Sequence, residues 1–143
     1  VQIAQLLRRK GPEVVTVEPG ASVRAALSLL ADHGVGALVV SGAAGVVDGI
    51  LSERDVVRGL HASGPDVVDA PVSALMTAEV RTCVPTASVH DLARLMTEHR
   101  VRHVPVVEDG RLLGIVSIGD VVKARLDELE DERAHLVDYI QTG

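Results

Sequence analysis

A chain of 143 residues can bury a single core of ordinary size, and the composition says what fills it: 47% of residues are hydrophobic but only 1% aromatic, with no Trp, no Phe and the single Tyr139. Val, Leu, Ile and Ala must form the interior, so neither an aromatic cage nor a base-stacking platform is available. The net charge of −6 argues against nucleic acid or an anionic membrane as the main partner, and a phosphate ligand would need a local basic patch.

In chain order, Val1 to Arg9 predicts a short lead-in helix terminated by Gly11-Pro12. Arg8, Arg9 and Lys10 adjoin no signal-type apolar core, and no apolar run approaches the roughly 20 residues that span a bilayer. A soluble, cytoplasmic protein is expected, with Val1 in place of an initiator methionine leaving room for a targeting segment upstream. Val14-Val15-Thr16-Val17 is a β-branched run punctuated by Pro19-Gly20. Ser22 caps a helix whose apolar residues Val23, Ala26, Leu27 and Leu30 share one face, and Gly34 ends it. Ala37 to Val40 and Val46 to Leu51 predict a hairpin across a glycine-rich turn, and a second helix starts at Ser52. Residues 61–77, containing Gly64-Pro65 and Ala70-Pro71, read as a linker that docks through Val72, Leu75 and Met76.

The remainder repeats this plan. Setting Val14 to Leu60 beside Val80 to Arg125, at a shift of about 65 residues, pairs Thr16 with Thr82, Pro19 with Pro85, His33 with His99, and Gly49-Ile50 with Gly114-Ile115. The second copy has its helix stripe at Val89, Leu92, Ala93 and Met96, its hairpin around Asp109-Gly110, and its second helix from Ser117. Arg100 stands where the first copy has Gly34, a less clear stop. Cys83, the lone cysteine, falls in an apolar strand and reads as a small buried hydrophobe. Past Asp120 the helical pattern continues, with Val122, Leu126, Leu129, Leu136 and Ile140 forming a heptad-like seam that Arg133 interrupts. Five aliphatic residues on a protruding helix point to a second protomer, and the acidic face from Asp127 to Glu132 has the plainer reading of a solvated surface.

The fold class that follows is α/β (α+β): a β-α-β-β-α unit written twice, with a long C-terminal helix. Residues 1–70 form the first domain with its lead-in helix, and residues 71–143 form the second.

Chemistry concentrates in two matching runs, Gly49-Ile50-Leu51-Ser52-Glu53-Arg54-Asp55 and Gly114-Ile115-Val116-Ser117-Ile118-Gly119-Asp120. A strand ending in a serine that opens a helix gathers backbone N–H groups, a hydroxyl and a carboxylate at one point. The carboxylate can accept both hydroxyls of a ribose, and the serine and helix N-terminus can donate to a phosphate. Ser-x-x-Asp alone is also an ordinary capping box, as at Ser88-x-x-Asp91, which lacks the preceding strand. A second feature is the basic run His99-Arg100-Val101-Arg102-His103 in an acidic chain, where Arg102 can fork onto a phosphate and His103 add a donor, with solvated charge as the alternative. The first copy has Gly36-Ala37 there, so the two clefts are expected to differ. Arg54 is a further candidate.

Other chemistries lack their constellations. The six histidines include no His-Glu-x-x-His or cysteine cluster, so no metal site is expected. The glycines from Gly42 to Gly49 lead into a strand and not a helix, and no Gly-x-Ser-x-Gly elbow is present.

Both runs, together with Val101-Arg102-His103-Val104-Pro105-Val106, resemble CBS domains, the module named after cystathionine β-synthase. Two copies would cover most of the chain, and the tail through Tyr139-Ile140 resembles a stand-alone group of CBS pairs. The resemblance implies a pseudo-twofold pair (a Bateman module) whose repeats meet to form clefts for adenosine compounds, and assembly into a disk-like dimer. It assigns ribose and phosphate roles to Asp55 with Ser52 and to Asp120 with Ser117, with Gly119 and Ile115 in the second motif. Adenine would lie against Val15, Thr16, Val35 and Ala37 at the Asp120 cleft, and against Thr82 and Val101 at the Asp55 cleft. Val39 departs from the family's usual proline, which the second copy keeps at Pro105. The expectation is a non-enzymatic, homodimeric regulatory module with no catalytic cofactor. It would bind AMP, ADP, ATP or NAD(H) and signal to a regulated partner protein. The alternative is an assembly module with vestigial clefts.

Overall fold

The computed structural model describes residues 1–11 and 14–142; Pro12, expected to stop the lead-in helix, lies outside the described residues. In order come helix α1 (Ile3–Lys10), strand β1 (Thr16–Val17), helix α2 (Val23–His33), strands β2 (Ala37–Val40) and β3 (Gly49–Ser52), and helix α3 (Glu53–Ser63). Two 3-10 turns, Pro65–Asp69 and Val72–Ala74, lead to helix α4 (Val89–His99), strands β4 (His103–Glu108) and β5 (Arg111–Ser117), and helix α5 (Ile118–Thr142).

Local chemistry accounts for the boundaries. Ser22 and Ser88 accept the N–H groups of Ala25 and Asp91 at 3.1 and 3.0 Å, each removing one orphan donor of a helix start. Gly34 ends α2 in the left-handed region (φ 61°), and Arg100 ends α4 in the same region (φ 53°). The less clear stop is therefore a stop of the same kind, made at the steric cost that glycine avoids.

The first sheet has the order β1-β2-β3, with β1 parallel to β2 and β3 antiparallel to it; the second contains only β4 and β5. The strand expected around Cys83 is reduced to a single parallel bridge between Cys83 and Val106, held by Cys83 N–H to Pro105 O (3.0 Å) and Val107 N–H to Cys83 O (2.9 Å). Extending that ladder toward residue 81 would need an N–H on residue 105, which proline lacks. Val39 at the matching place in β2 retains its N–H, and Thr16 pairs with it.

Two cores form, and each borrows from the neighbouring half of the chain. One gathers Val17, Val23, Ala26, Leu30, Leu38, Val40, Leu51 and Val56 of the first repeat with Val72, and Leu75 and Met76 pack against it. The other gathers Val89, Leu92, Met96, Val104, Val106, Val116, Val121 and Ala124 with Ile3 and Leu6 of α1. The lead-in helix thus packs on the second repeat, and the segment after residue 71 docks on the first. A division of the sequence into residues 1–70 and 71–143 does not follow the cores. The swap is tight: a Cβ on Gly49 would stand 2.7 Å from Met76 Sδ, and one on Gly114 would stand 2.7 Å from Leu7 Cδ2. Helix α5 runs for 25 residues, about 37 Å. From Leu129 to Gln141 every residue is exposed.

Candidate functional site

At the end of β3, Ser52 and Asp55 cap each other. The Asp55 carboxylate accepts from Ser52 N–H (2.9 Å) and Ser52 Oγ (3.0 Å), and Ser52 Oγ accepts Asp55 N–H at 3.3 Å. Thr77 Oγ1 donates to the other carboxylate oxygen, Oδ1, at 3.2 Å. That threonine is held by a two-bond bridge to Ile50, with distances of 3.0 and 2.8 Å. Glu53 N–H donates to Gly36 O at 3.0 Å. Two of the first-turn N–H groups expected to face a ligand, those of Glu53 and Asp55, are therefore used by the protein itself. What remains for a ligand is the second accepting direction of the carboxylate oxygens, the hydroxyls and the side chains around them.

Beside Asp55 lies a cleft of about 550 Å³. The first repeat supplies Gly36, Ile50, Ser52, Arg54, Asp55 and Arg58 to its wall, the end of the linker supplies Thr77, Glu79 follows it, and the second repeat supplies Val80, Arg81, Val101, Arg102 and His103. Five arginines, completed by Arg100, meet only three carboxylates, those of Glu53, Asp55 and Glu79. In a chain of net charge −6 this is a concentrated positive surface.

The structure thus brings together six of the residues singled out from sequence: Ser52, Arg54, Asp55, Val101, Arg102 and His103. Thr82 follows Arg81 but is not part of the lining, and Val15, Thr16, Val35, Ala37, Ile115, Ser117, Gly119 and Asp120 do not line this cleft either. Ala37 is 5% exposed and belongs to the interior, whereas Val35 lies at the surface. Arg100, named in the basic run but given no role there, joins the lining, and Arg58, Arg81 and Thr77 were missed. Arg58 follows Arg54 by one helical turn, a spacing visible in sequence; Thr77 joins only because the linker docks against β3.

The second corner is built alike and occupied differently. Asp120 Oδ2 accepts Ser117 N–H at 2.9 Å, Ser117 Oγ accepts Asp120 N–H at 3.2 Å, and Ile118 N–H donates to Arg102 O at 2.8 Å. Lys10 Nζ then sits 2.7 Å from Asp120 Oδ2 and 2.7 Å from Ile115 O. Burial alone would raise the Asp120 carboxyl, but the hydrogen bonds from Lys10 and Ser117 and the Lys10 charge outweigh it and hold the group below its ordinary value.

His103 connects the two corners. It pairs with Ser117 in the β4-β5 register, and its ring lines the Asp55 cleft, where a Cβ on Gly36 would stand 3.4 Å from it. Burial, then the Lys10 charge, lowers the imidazole from its ordinary value, with Glu53 and Asp120 opposing and Arg102 adding to the fall. Both of the leading causes favour the neutral ring. Cys83 takes no part: it is half-buried, and burial pushes its thiol up to about 11, which keeps it protonated and unreactive.

The CBS domain family model matches residues 4–62 and 72–127. The chain belongs to the CBS-domain family. Both repeats are accounted for, and the mixed α/β architecture with a long C-terminal helix is that of a tandem CBS pair. The solved CBS-domain protein ATU1752 from Agrobacterium tumefaciens is 47% identical, with a TM-score of 0.84 over 87% of this chain and 99% of that one. The CBS domain-containing protein YhcV of Bacillus subtilis is 35% identical over 85% of this chain and 84% of its own length. The mitochondrial CBS domain-containing protein CBSX3 of Arabidopsis thaliana is 39% identical over 82% of this CBS pair, a match that spans 59% of the longer relative. The CBS domain pair of MJ0100, solved with 5-methylthioadenosine and S-adenosyl-L-methionine, shares the fold at 23% identity and a TM-score of 0.77. Among the described residues no helix is long and apolar enough to cross a membrane.

Proposed function

We propose that this CBS pair is a non-enzymatic regulatory module that binds an anionic adenine nucleotide, AMP, ADP, ATP or NAD(H), in the Asp55 cleft. The observation that carries the reading is the excess of arginine over carboxylate in one hollow of an otherwise acidic chain. Asp55 and Ser52 suit the ribose hydroxyls, the apolar side chains of Ile50, Val80 and Val101 suit the base, and Arg54, Arg102 and their neighbours suit the phosphates. The adenosine ligands of the MJ0100 pair support the adenosine class. The positive cleft favours phosphates over a sulfonium, so ATP is expected to bind more tightly than S-adenosylmethionine. Calorimetric titration of both compounds, and of AMP and NADH, tests this. Asp55→Ala is expected to weaken the tightest of them at least about tenfold, about 1.4 kcal/mol. No heat from any compound, or an unchanged affinity in Asp55→Ala, would remove the reading. Occupancy regulates a partner protein only in so far as the nucleotide binds two arrangements of the module unequally.

The α5 seam supports a second reading, self-assembly, which is compatible with the first. Val122, Leu126, Leu129, Leu136 and Ile140 are 51 to 69% exposed at heptad-like spacing, as residues awaiting a second copy would be. Truncation after Arg125 is expected to convert a homodimer into a monomer on size-exclusion chromatography with light scattering while leaving nucleotide affinity within about twofold. An unchanged oligomeric state would exclude the seam as the dimer contact.

A further inference from the structure

The two Ser-x-x-Asp corners share the reciprocal bonds between side chain and backbone N–H, yet only Asp55 borders the cleft described above. The difference arises in the swapped segments. Leu7 rests on Gly114 as Met76 rests on Gly49, so the residue three positions on is Lys10 at one corner and Glu79 at the other. Glu79 lines the open cleft. Lys10 reaches back instead, and its ammonium bonds both the Asp120 carboxylate and the Ile115 carbonyl at 2.7 Å.

We infer that Lys10 is a built-in plug, seated on the carboxylate that a sugar would need and limiting the module to one nucleotide per chain. The inference rests on the proposed reading of Ser-x-x-Asp as a ribose site. A ligand entering at Asp120 must displace an ammonium that makes two charge-assisted or strong hydrogen bonds, from a helix anchored by buried Ile3 and Leu6. The competing neutral hydroxyl at the other corner, Thr77 Oγ1, makes a longer bond of 3.2 Å and carries no charge. The ligand excluded is thus any compound presenting a cis-diol to a carboxylate, and Lys10, through occupancy, sets how many such compounds one chain holds.

The test is calorimetric titration of the full chain with ATP, using wild type, Lys10→Met and Lys10→Met/Asp120→Asn, with Lys10→Ala in case the methionine itself fills the corner. One ATP per chain is expected for wild type, two for either single variant, and one again for the double variant. Two ATP per chain already in wild type, or no added site in both single variants, would overturn the inference. A wild type that binds no ATP would refute the nucleotide reading of the Asp55 cleft alone. An Asp120-dependent site gained on removing Lys10 would still establish the plug, and none gained would overturn it.

Discussion

Gly49→Ala is expected to destabilise the protein by about 2 to 3 kcal/mol, and Gly114→Ala by about 1 kcal/mol or less, although the two glycines occupy matching places in the repeats. A Cβ at Gly49 would stand 2.7 Å from Met76 Sδ and 2.8 Å from the Thr77 carbonyl oxygen. That carbonyl is backbone, already bonded to Ile50 N–H at 3.0 Å, with the return bond from Thr77 N–H to Ile50 O at 2.8 Å. Relief therefore means breaking the bridge that docks the linker on β3. At Gly114 the nearest atom is Leu7 Cδ2, the end of a side chain that can change rotamer. Urea unfolding and thermal melts of both variants measure the difference, which corresponds to a Tm gap of roughly 5 to 10 °C for a chain of this size. Displacing the linker also withdraws Thr77 from Asp55, so Gly49→Ala should weaken nucleotide binding and Gly114→Ala should not. Equal losses of stability would show that the linker yields as easily as a leucine side chain.

The second large effect is pH dependence of binding through His103. In the free protein its imidazole titrates below its ordinary value, for the burial and charge reasons given above. A phosphate placed among Arg102, Arg54 and His103 raises it, because a nearby anion favours the charged ring. The sign follows from linkage: the gain in affinity is fully present below the free-protein pKa and is lost as pH rises through the higher pKa of the complex. With one proton taken up, affinity changes by at most about tenfold per pH unit in that window. ATP should accordingly bind several-fold to tenfold more tightly near pH 5.5 than near pH 7.5. His103→Gln, which keeps a donor but does not titrate there, should flatten the profile, and comparison with it cancels the ionisation of the ligand's own phosphate. Parallel profiles for the two proteins would place the phosphates away from His103.

Much of the architecture was legible because it is written locally and twice. Ser22, Ser52, Ser88 and Ser117 mark helix starts through side-chain bonds spanning three residues, and Gly34 marks a stop through its own backbone freedom. Valine and leucine at helical and strand periods announce which faces are buried. The candidate Asp55 corner was readable for the same reason, since Ser52 and Asp55 are neighbours along one turn. Repetition also misled, because it implies the same three strands in each repeat. One proline removed the N–H that a third strand in the second sheet would need, and that consequence emerged only when Cys83 and Pro105 were placed side by side.

The order of the repeats, the starts of their helices and the identity of the Ser-x-x-Asp corners were thus determined by the sequence itself, through interactions that reach no further than a helical turn or a β-hairpin. The exchange of α1 and the linker between the cores, the gathering of five arginines around one corner, and the meeting of Lys10 with Asp120 across 110 residues were decided by tertiary structure. Such contacts depend on which apolar face finds cover against which partner, and burial is non-directional, so no local pattern specifies the answer.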